Sequence, residues 1–261
     1  MRQLTGYLAT LDVLGFAELL YRDGYSNQLR QYLDCVNAVV RPSHVKAECV
    51  VFSDSVVLTS PGDTDEAFAG LIKTCSAAFY ALATCEIPVR GAIAFGRYWR
   101  ESNSGSVFLA GRPIVEAYKR ERAQKWVGIM LCPSVLHKQT NLSTDTNISD
   151  GEMPSDRSEK ASLDLAIRVQ PATVPYHDPG TPEIGKLSGY AVVPIEEDDD
   201  DFRSASRAVR HVRRSFEDLR LKASEPGAQA KYGASLRWLE TVEKRLDDAA
   251  VQARLRAKKG T

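Results

Sequence analysis

The sequence is poor in the features that mark most specialised chemistries. It has five cysteines, Cys35, Cys49, Cys75, Cys85 and Cys132, with no C-x-x-C pair among them, so neither a zinc ribbon nor a disulfide framework is indicated. They are expected as reduced thiols. The four histidines, His44, His137, His177 and His211, lack ligand spacing and are expected at the surface. There is no glycine-rich P-loop, no internal repeat, and no hydrophobic run near the roughly 20 residues of a membrane-spanning helix. The stretch MRQLTGYLATLDVLGF is interrupted by Asp12 and lacks a small-residue cleavage pattern, so it does not read as a secretory signal. An excess of one charge is also missing: 34 Lys+Arg balance 34 Asp+Glu, which leaves no global field to hold a nucleic-acid backbone. What is present is a neutral chain of 261 residues, 43% hydrophobic and 26% charged, ordinary for a globular protein that buries its own core. The expected compartment is the cytoplasm, with neither membrane nor nucleic acid as partner.

Patterning along the chain gives an α+β order. Tyr7 to Leu11 read as a strand ending at Asp12, followed by a turn and a helical pattern from Gly15, then a second helix over about 27–40. ECVVF and SVVLT are β-branched runs joined at Ser53-Asp54, a tight hairpin with Asp54 at its tip. Residues 65–84 space their apolar side chains as a buried helix, and VRGAIAF (89–95) follows as a strand that Gly96 would end in a turn or bulge. The order is β-α-β-β-α-β, expected as a sandwich with helices over one sheet face. Beyond it come a loop over 102–106, a short helix from Arg112-Pro113 to about Gln124, and a buried strand over 127–132. Residues 138–185 read as a polar excursion with a strand at 163–169, and YAVVPI as a last strand. Two helices with apolar stripes, broken at Pro226-Gly227, should form a hairpin against the sheet or a partner subunit.

Two isolated carboxylates stand out. Asp12, at a strand-to-helix turn, and Asp54, at a hairpin tip, lie side by side if their strands are neighbours. Such a pair suits magnesium or manganese, whose shells are completed by water and phosphate oxygens. The turn Val13-Leu14-Gly15-Phe16 opens a helix, so its N–H groups could receive phosphate. The competing reading makes Asp12 a helix cap and Asp54 a turn former.

D-V-L-G-F after a strand, F-S-D-S in a hairpin, and G-R-P-I-V-E-A-Y-K-R-E leading to a strand resemble, in order, three signatures of the class III nucleotidyl cyclases. Those signatures are roughly D-I-x-G-F, x-G-D-x and G-x-x-V-N-x-A-x-R-x-E, and the resemblance covers about residues 7–135. It implies a ferredoxin-like βαββαβ core with a C-terminal helical hairpin, divided as 1–137 catalytic core, 138–201 excursion and last strand, and 202–261 helices. It also implies a homodimer with composite sites. In these, two divalent ions (Mn2+ or Mg2+) sit on Asp12, Val13 and Asp54, one acidifying the ribose 3′-hydroxyl and the other screening the triphosphate. Gly15 and Phe16 would lie against the substrate.

The departures from the family pattern point to the base. Purine cyclases of this family carry a Lys four residues before the hairpin carboxylate and an acidic residue or equivalent three before the Gly of the third signature. Here those places hold Val50 and Phe108, which cannot exchange hydrogen bonds with a purine edge. Arg97 is a donor suited to a pyrimidine carbonyl. The usual transition-state Asn and Arg fall on Val115 and Lys119, leaving Lys119 as the charged candidate. Arg112, Arg120 and Lys125 are possible substitutes, and Glu116 and Glu121 read as structural partners.

With TLDVLGF, VVFSDSVV, IVEAYKRE and KYGASLRWL, the chain is similar to the pyrimidine cyclases of Pycsar antiphage systems. That similarity implies a uridylate cyclase converting UTP to 3′,5′-cyclic UMP and pyrophosphate, an alarm signal for a separately encoded effector. Three alternatives remain: a cytidylate cyclase acting on CTP, a degenerate nucleotide-binding regulatory domain, and a polymerase-palm-like nucleotidyltransferase. The last would need a primer-binding basic surface, and the neutral net charge argues most against it.

Overall fold

The computed structural model describes residues 1–21, 23–40, 48–103, 106–139, 173–176, 189–194 and 202–259. The chain opens with strand β1 (Arg2–Val13), helix α1 (Phe16–Leu20) and helix α2 (Tyr25–Val40). A hairpin of β2 (Glu48–Phe52) and β3 (Ser55–Pro61), helix α3 (Asp65–Thr84) and strand β4 (Val89–Asn103) complete the first half. These four strands pair antiparallel in the order β2-β3-β1-β4, the arrangement expected of a ferredoxin-like βαββαβ core.

The second half widens the sheet. Strand β5 (Ser106–Gly111) pairs with the far end of β4, and helix α4 (Arg112–Ala123) leads to β6 (Gly128–Leu131), parallel to the near end of β4. After α5 (Pro133–Gln139), strands β7 (Thr173–Tyr176) and β8 (Gly189–Val192) extend the edge in the order β6-β8-β7. Helices α6 (Phe202–Lys222) and α7 (Pro226–Lys259) follow.

Helices cover both sheet faces, not one as the sequence suggested. Helices α2 and α3 pack over the side bearing Tyr7, Ala9, Leu11 and Ile93, whereas α4 lies across Leu8, Ala92 and Ala94 through Ile114 and Ala117. The cause is the near-continuous apolar run of β1, interrupted only by Thr10: Tyr7, Leu8, Ala9 and Leu11 are all buried, and successive strand residues point to opposite faces, so both faces need cover. Helix α3 begins where the Thr64 hydroxyl accepts from the Ala67 N–H at 3.2 Å, with Asp65 and Glu66 in its first turn favoured by the helix dipole. It is long and apolar enough to cross a membrane by length and composition. Here it is the central core helix.

Other differences are local. Strand β4 runs through Gly96 to Asn103, because β5 supplies a partner for its distal half. Helix α5 and strand β5 fall mostly on residues to which the sequence reading gave no element. The strand expected over 163–169 lies outside the described residues, as do His44, His177 and Ile195. The C-terminal hairpin packs on the helical layer: Phe216 of α6 meets Phe79 of α3 with ring centroids 6.2 Å apart. From α7, Trp238 meets Trp126 at 4.9 Å, and the Ser235 hydroxyl accepts the Val127 N–H at 2.8 Å.

Candidate functional site

The two singled-out carboxylates stand at one corner of the sheet. Asp12 lies opposite Ser55 in the β1–β3 register, so Asp54 follows one position beyond, in the β2–β3 turn. The Val13 N–H donates to the Asp54 carbonyl at 3.0 Å and the Leu14 N–H to the Pro88 carbonyl at 2.9 Å. These bonds fix the turn that leaves β1. Gly15 makes it possible, at φ 76, in the left-handed region that glycine enters without a Cβ penalty. Ser53 takes φ 56 in the facing hairpin without that freedom.

Asp12 does not stand alone. Arg90, its register partner on β4, donates from Nε to Asp12 Oδ2 at 3.0 Å and brings a second nitrogen to the same oxygen at 2.9 Å. Arg90 Nε also lies 3.5 Å from Glu121 Oε1 on α4. Burial pushes the Asp12 carboxyl above its ordinary range against the pull of Arg90, and the charge of Asp54 pushes the same way. Glu121 is raised to about 7, first by burial and then by the Asp12 charge, with Asp54 adding to it. Lys231 of α7 is lowered by burial and by the charges of Arg90 and Lys125, while Asp12 holds it up. The corner is therefore a partly buried cluster of three carboxylates interleaved with cations, with Glu121 its buried member.

Arg90, Glu121 and Lys231 are the members the sequence reading missed or set aside. For Arg90 a signal existed: it is a charge at the head of VRGAIAF, on the parity of Ala92 and Ala94, where only a buried counter-ion makes a charge tolerable. Lys231 arrives from 177 residues beyond Asp54 with no local pattern to announce it. Glu116 does take a structural role, its carboxylate accepting the Ser134 N–H at 3.1 Å where α5 begins.

The remaining expected site residues scatter. Val50 is half-buried on β2, paired with Val57 two residues from Ser55, close to the corner and on the Asp12 face. The Phe16 side chain is buried, edge-on to Tyr32 of α2 with centroids 5.9 Å apart, so its backbone alone could reach a substrate. Arg97 pairs with Thr5 where Arg90 pairs with Asp12, which at ~3.3 Å per residue puts it roughly 20 Å along the sheet from the carboxylates. Phe108, 51% exposed, pairs with Glu101 farther still. Lys119 is exposed on the solvent side of α4, whose buried side carries Pro113, Ala117 and Glu121.

The donor set fits a small hard cation. Arg90 engages one oxygen of Asp12 and leaves Oδ1 unengaged by it, and Asp54 and the Val13 carbonyl are the nearby oxygen donors of the turn. Two carboxylates with the rest of the shell from water and phosphate is the usual way magnesium is held. Among the described residues no group of three or more His, Cys, Asp or Glu is gathered so as to hold a metal ion by itself.

No protein-family model matches the chain, and no curated protein matches it. Among solved structures it is similar to the adenylyl cyclase CyaB from P. aeruginosa, at 12% identity and a TM-score of 0.48, covering 76% of this chain and 98% of that one. It is also similar to the dimeric guanylyl cyclase domain of a RhoGC fusion protein from the aquatic fungus Blastocladiella emersonii, at 11% identity and 0.47, covering 74% and 99%. A bacterial light-regulated adenylyl cyclase matches at 11% identity and 0.46, covering 81% and 100%.

Proposed function

We propose that the chain is a metal-dependent nucleotidyl cyclase that converts UTP to 3′,5′-cyclic UMP and pyrophosphate. The reading rests above all on Asp12 and Asp54, far apart in sequence, meeting at one corner of the sheet beside a turn that opens a helix. Asp12, Asp54 and the Val13 carbonyl would hold the cations, which would acidify the ribose 3′-hydroxyl and screen the triphosphate. Val13 and Leu14 donate their N–H groups within the fold, so Gly15 and Phe16 are the donors of the turn that would face a phosphate. Arg90 holds Asp12 in place, and Glu121 holds Arg90.

The choice of a pyrimidine is supported by Val50, an apolar side chain on the carboxylate face where a purine-reading Lys would stand. Arg97 and Phe108 lie too far from the carboxylates of their own chain to touch the same nucleotide. A second copy must supply them, along with Lys119, and the reading therefore includes a homodimer with composite sites. Exposed apolar side chains at Phe52, Trp99, Val107, Phe108 and Val115 suit such an interface. Following the sequence resemblance, the product would be an antiphage alarm signal in the cytoplasm, received by a separate effector. CTP is the nearest alternative substrate. The second reading, a nucleotide-binding regulatory domain, is favoured by one observation: Val115, in the place of the usual transition-state Asn, is 54% exposed and apolar.

The test is turnover. Purified protein with Mn2+ and each of four nucleoside triphosphates is expected to give cyclic UMP alone by mass spectrometry, with Asp54→Ala reducing the rate by at least ~100-fold. Cyclic CMP would move the assignment to CTP, a purine product would overturn the pyrimidine assignment, and binding without product would favour the regulatory reading.

A further inference from the structure

Cys35 of α2 and Cys85 at the end of α3 face each other with their sulfurs 3.4 Å apart. Both are half-buried and free, and no step of the proposed reaction uses them. We propose that this pair is a reversible oxidation site at which a hydroperoxide converts the two thiols to a disulfide joining α2 to the end of α3.

The backbone around the pair is held firmly. Helix α3 ends with the Glu86 N–H on the Ala83 carbonyl at 3.1 Å and the Ile87 N–H on the Leu82 carbonyl at 2.9 Å, with Glu86 left-handed at φ 58. This is a Schellman termination, and it fixes where Cys85 sits. On the other side Cys35 lies between the buried Tyr32 and Val36 of α2, its thiol directed to the Ala81 carbonyl at 3.8 Å. Closing 3.4 Å to the ~2.05 Å of a disulfide requires only a small side-chain movement. Burial and the neighbouring Cys85 push the Cys35 thiol up to about 12, which makes it a poor first nucleophile toward a peroxide.

The chemistry balances. The Cys85 sulfur attacks the O–O bond of the hydroperoxide, giving a sulfenic acid and releasing an alcohol (water from hydrogen peroxide). The Cys35 sulfur then displaces the sulfenic hydroxyl as water, and two thiols have passed two electrons to one peroxide. The crosslink has a structural reach. Tyr32, on α2, packs against Phe16, and Pro88, three residues past Cys85, accepts the Leu14 N–H. Both sides of the turn after Asp12 are thereby tied to the bridged pair.

The experiment treats the full chain with hydrogen peroxide, alkylates it under denaturing conditions, and maps unreduced peptides by mass spectrometry. The expected result is three alkylated thiols instead of five, one linked peptide pair containing Cys35 and Cys85, and five thiols again after dithiothreitol. Oxidised protein should also melt more than about 5 °C higher, since the bridge closes a long loop. Cys35→Ser and Cys85→Ser should each show neither link nor shift. Five thiols retained after peroxide, links to other cysteines, or oxidation ending in a sulfinic acid would overturn the proposal. The wild-type map decides this even if a variant fails to fold, and it is independent of nucleotide turnover.

Discussion

Arg90 carries most of the electrostatic argument, because it is the only described side chain bonded to Asp12. A guanidinium that neutralises a candidate cation ligand has two opposed effects. It stabilises the fold without metal, since removing one partner of a largely buried ion pair leaves the other charge unpaired. It also weakens the pull of the corner on a divalent ion. Arg90→Ala is therefore expected to lower stability in chelator by about 2 kcal/mol, read from urea unfolding. The same variant should show a larger rise in melting temperature on adding Mn2+ than wild type; an equal or smaller rise would remove Arg90 from the site. Glu121 makes a separate test. Its carboxyl is raised to about 7 from 4.5, chiefly by burial, so the folded state favours its protonated form. The stability it contributes is full below about pH 4.5 and is lost as pH rises through about 7. In chelator, wild-type melting temperature should fall across that window relative to Glu121→Gln, which lacks the titration. Parallel pH profiles for the two proteins would show that Glu121 does not titrate there.

The β2–β3 hairpin combines features set by local sequence with one set by its backbone geometry. Its two β-branched runs and the Ser53-Asp54 join were legible, because alternation and turn residues are local signals. The conformation of Ser53 was not: the related signature has glycine there, and φ 56 supplies the reason. Left-handed backbone costs an L-residue roughly 1–2 kcal/mol, so Ser53→Gly is expected to raise stability by about 1 kcal/mol, measured as a higher urea midpoint at unchanged slope. A lower midpoint would mean the serine side chain contributes more than its backbone loses. Strand β4 teaches the converse. Gly96 looked like an end because glycine weakens isolated strands, but two partners, β1 and β5, hold Val89–Asn103 extended. Helix α5 went unseen because its seven residues, begun by Pro133 and capped by Glu116, are too few to show a period.

Across the whole molecule, the succession of elements followed from hydrophobic runs and turn signals, whereas the neighbour relations β2-β3-β1-β4 were implied only through the family resemblance, because strand pairing is set by contacts distant in sequence. The carboxylate corner was legible to the extent that Asp12 and Asp54 sit on β1 and the β2–β3 turn. Arg90 and Lys231 were not, because their proximity to Asp12 is a property of register and of helix docking over long separations. The same register leads to the last expectation. Arg97 stands roughly 20 Å along the sheet from Asp12, so one chain cannot place both on one nucleotide, whereas a two-fold pair can. Asp54→Ala and Arg97→Ala should each be inactive as homodimers, yet mixing and re-equilibrating them should restore activity. Half of the dimers are then mixed, and each mixed dimer has one site with Asp54 from one subunit and Arg97 from the other. Recovery should therefore approach about a quarter of the wild-type rate, measured as cyclic product. No recovery from a mixture shown by native mass spectrometry to contain the mixed dimer would mean that Arg97 acts within its own chain or not at all.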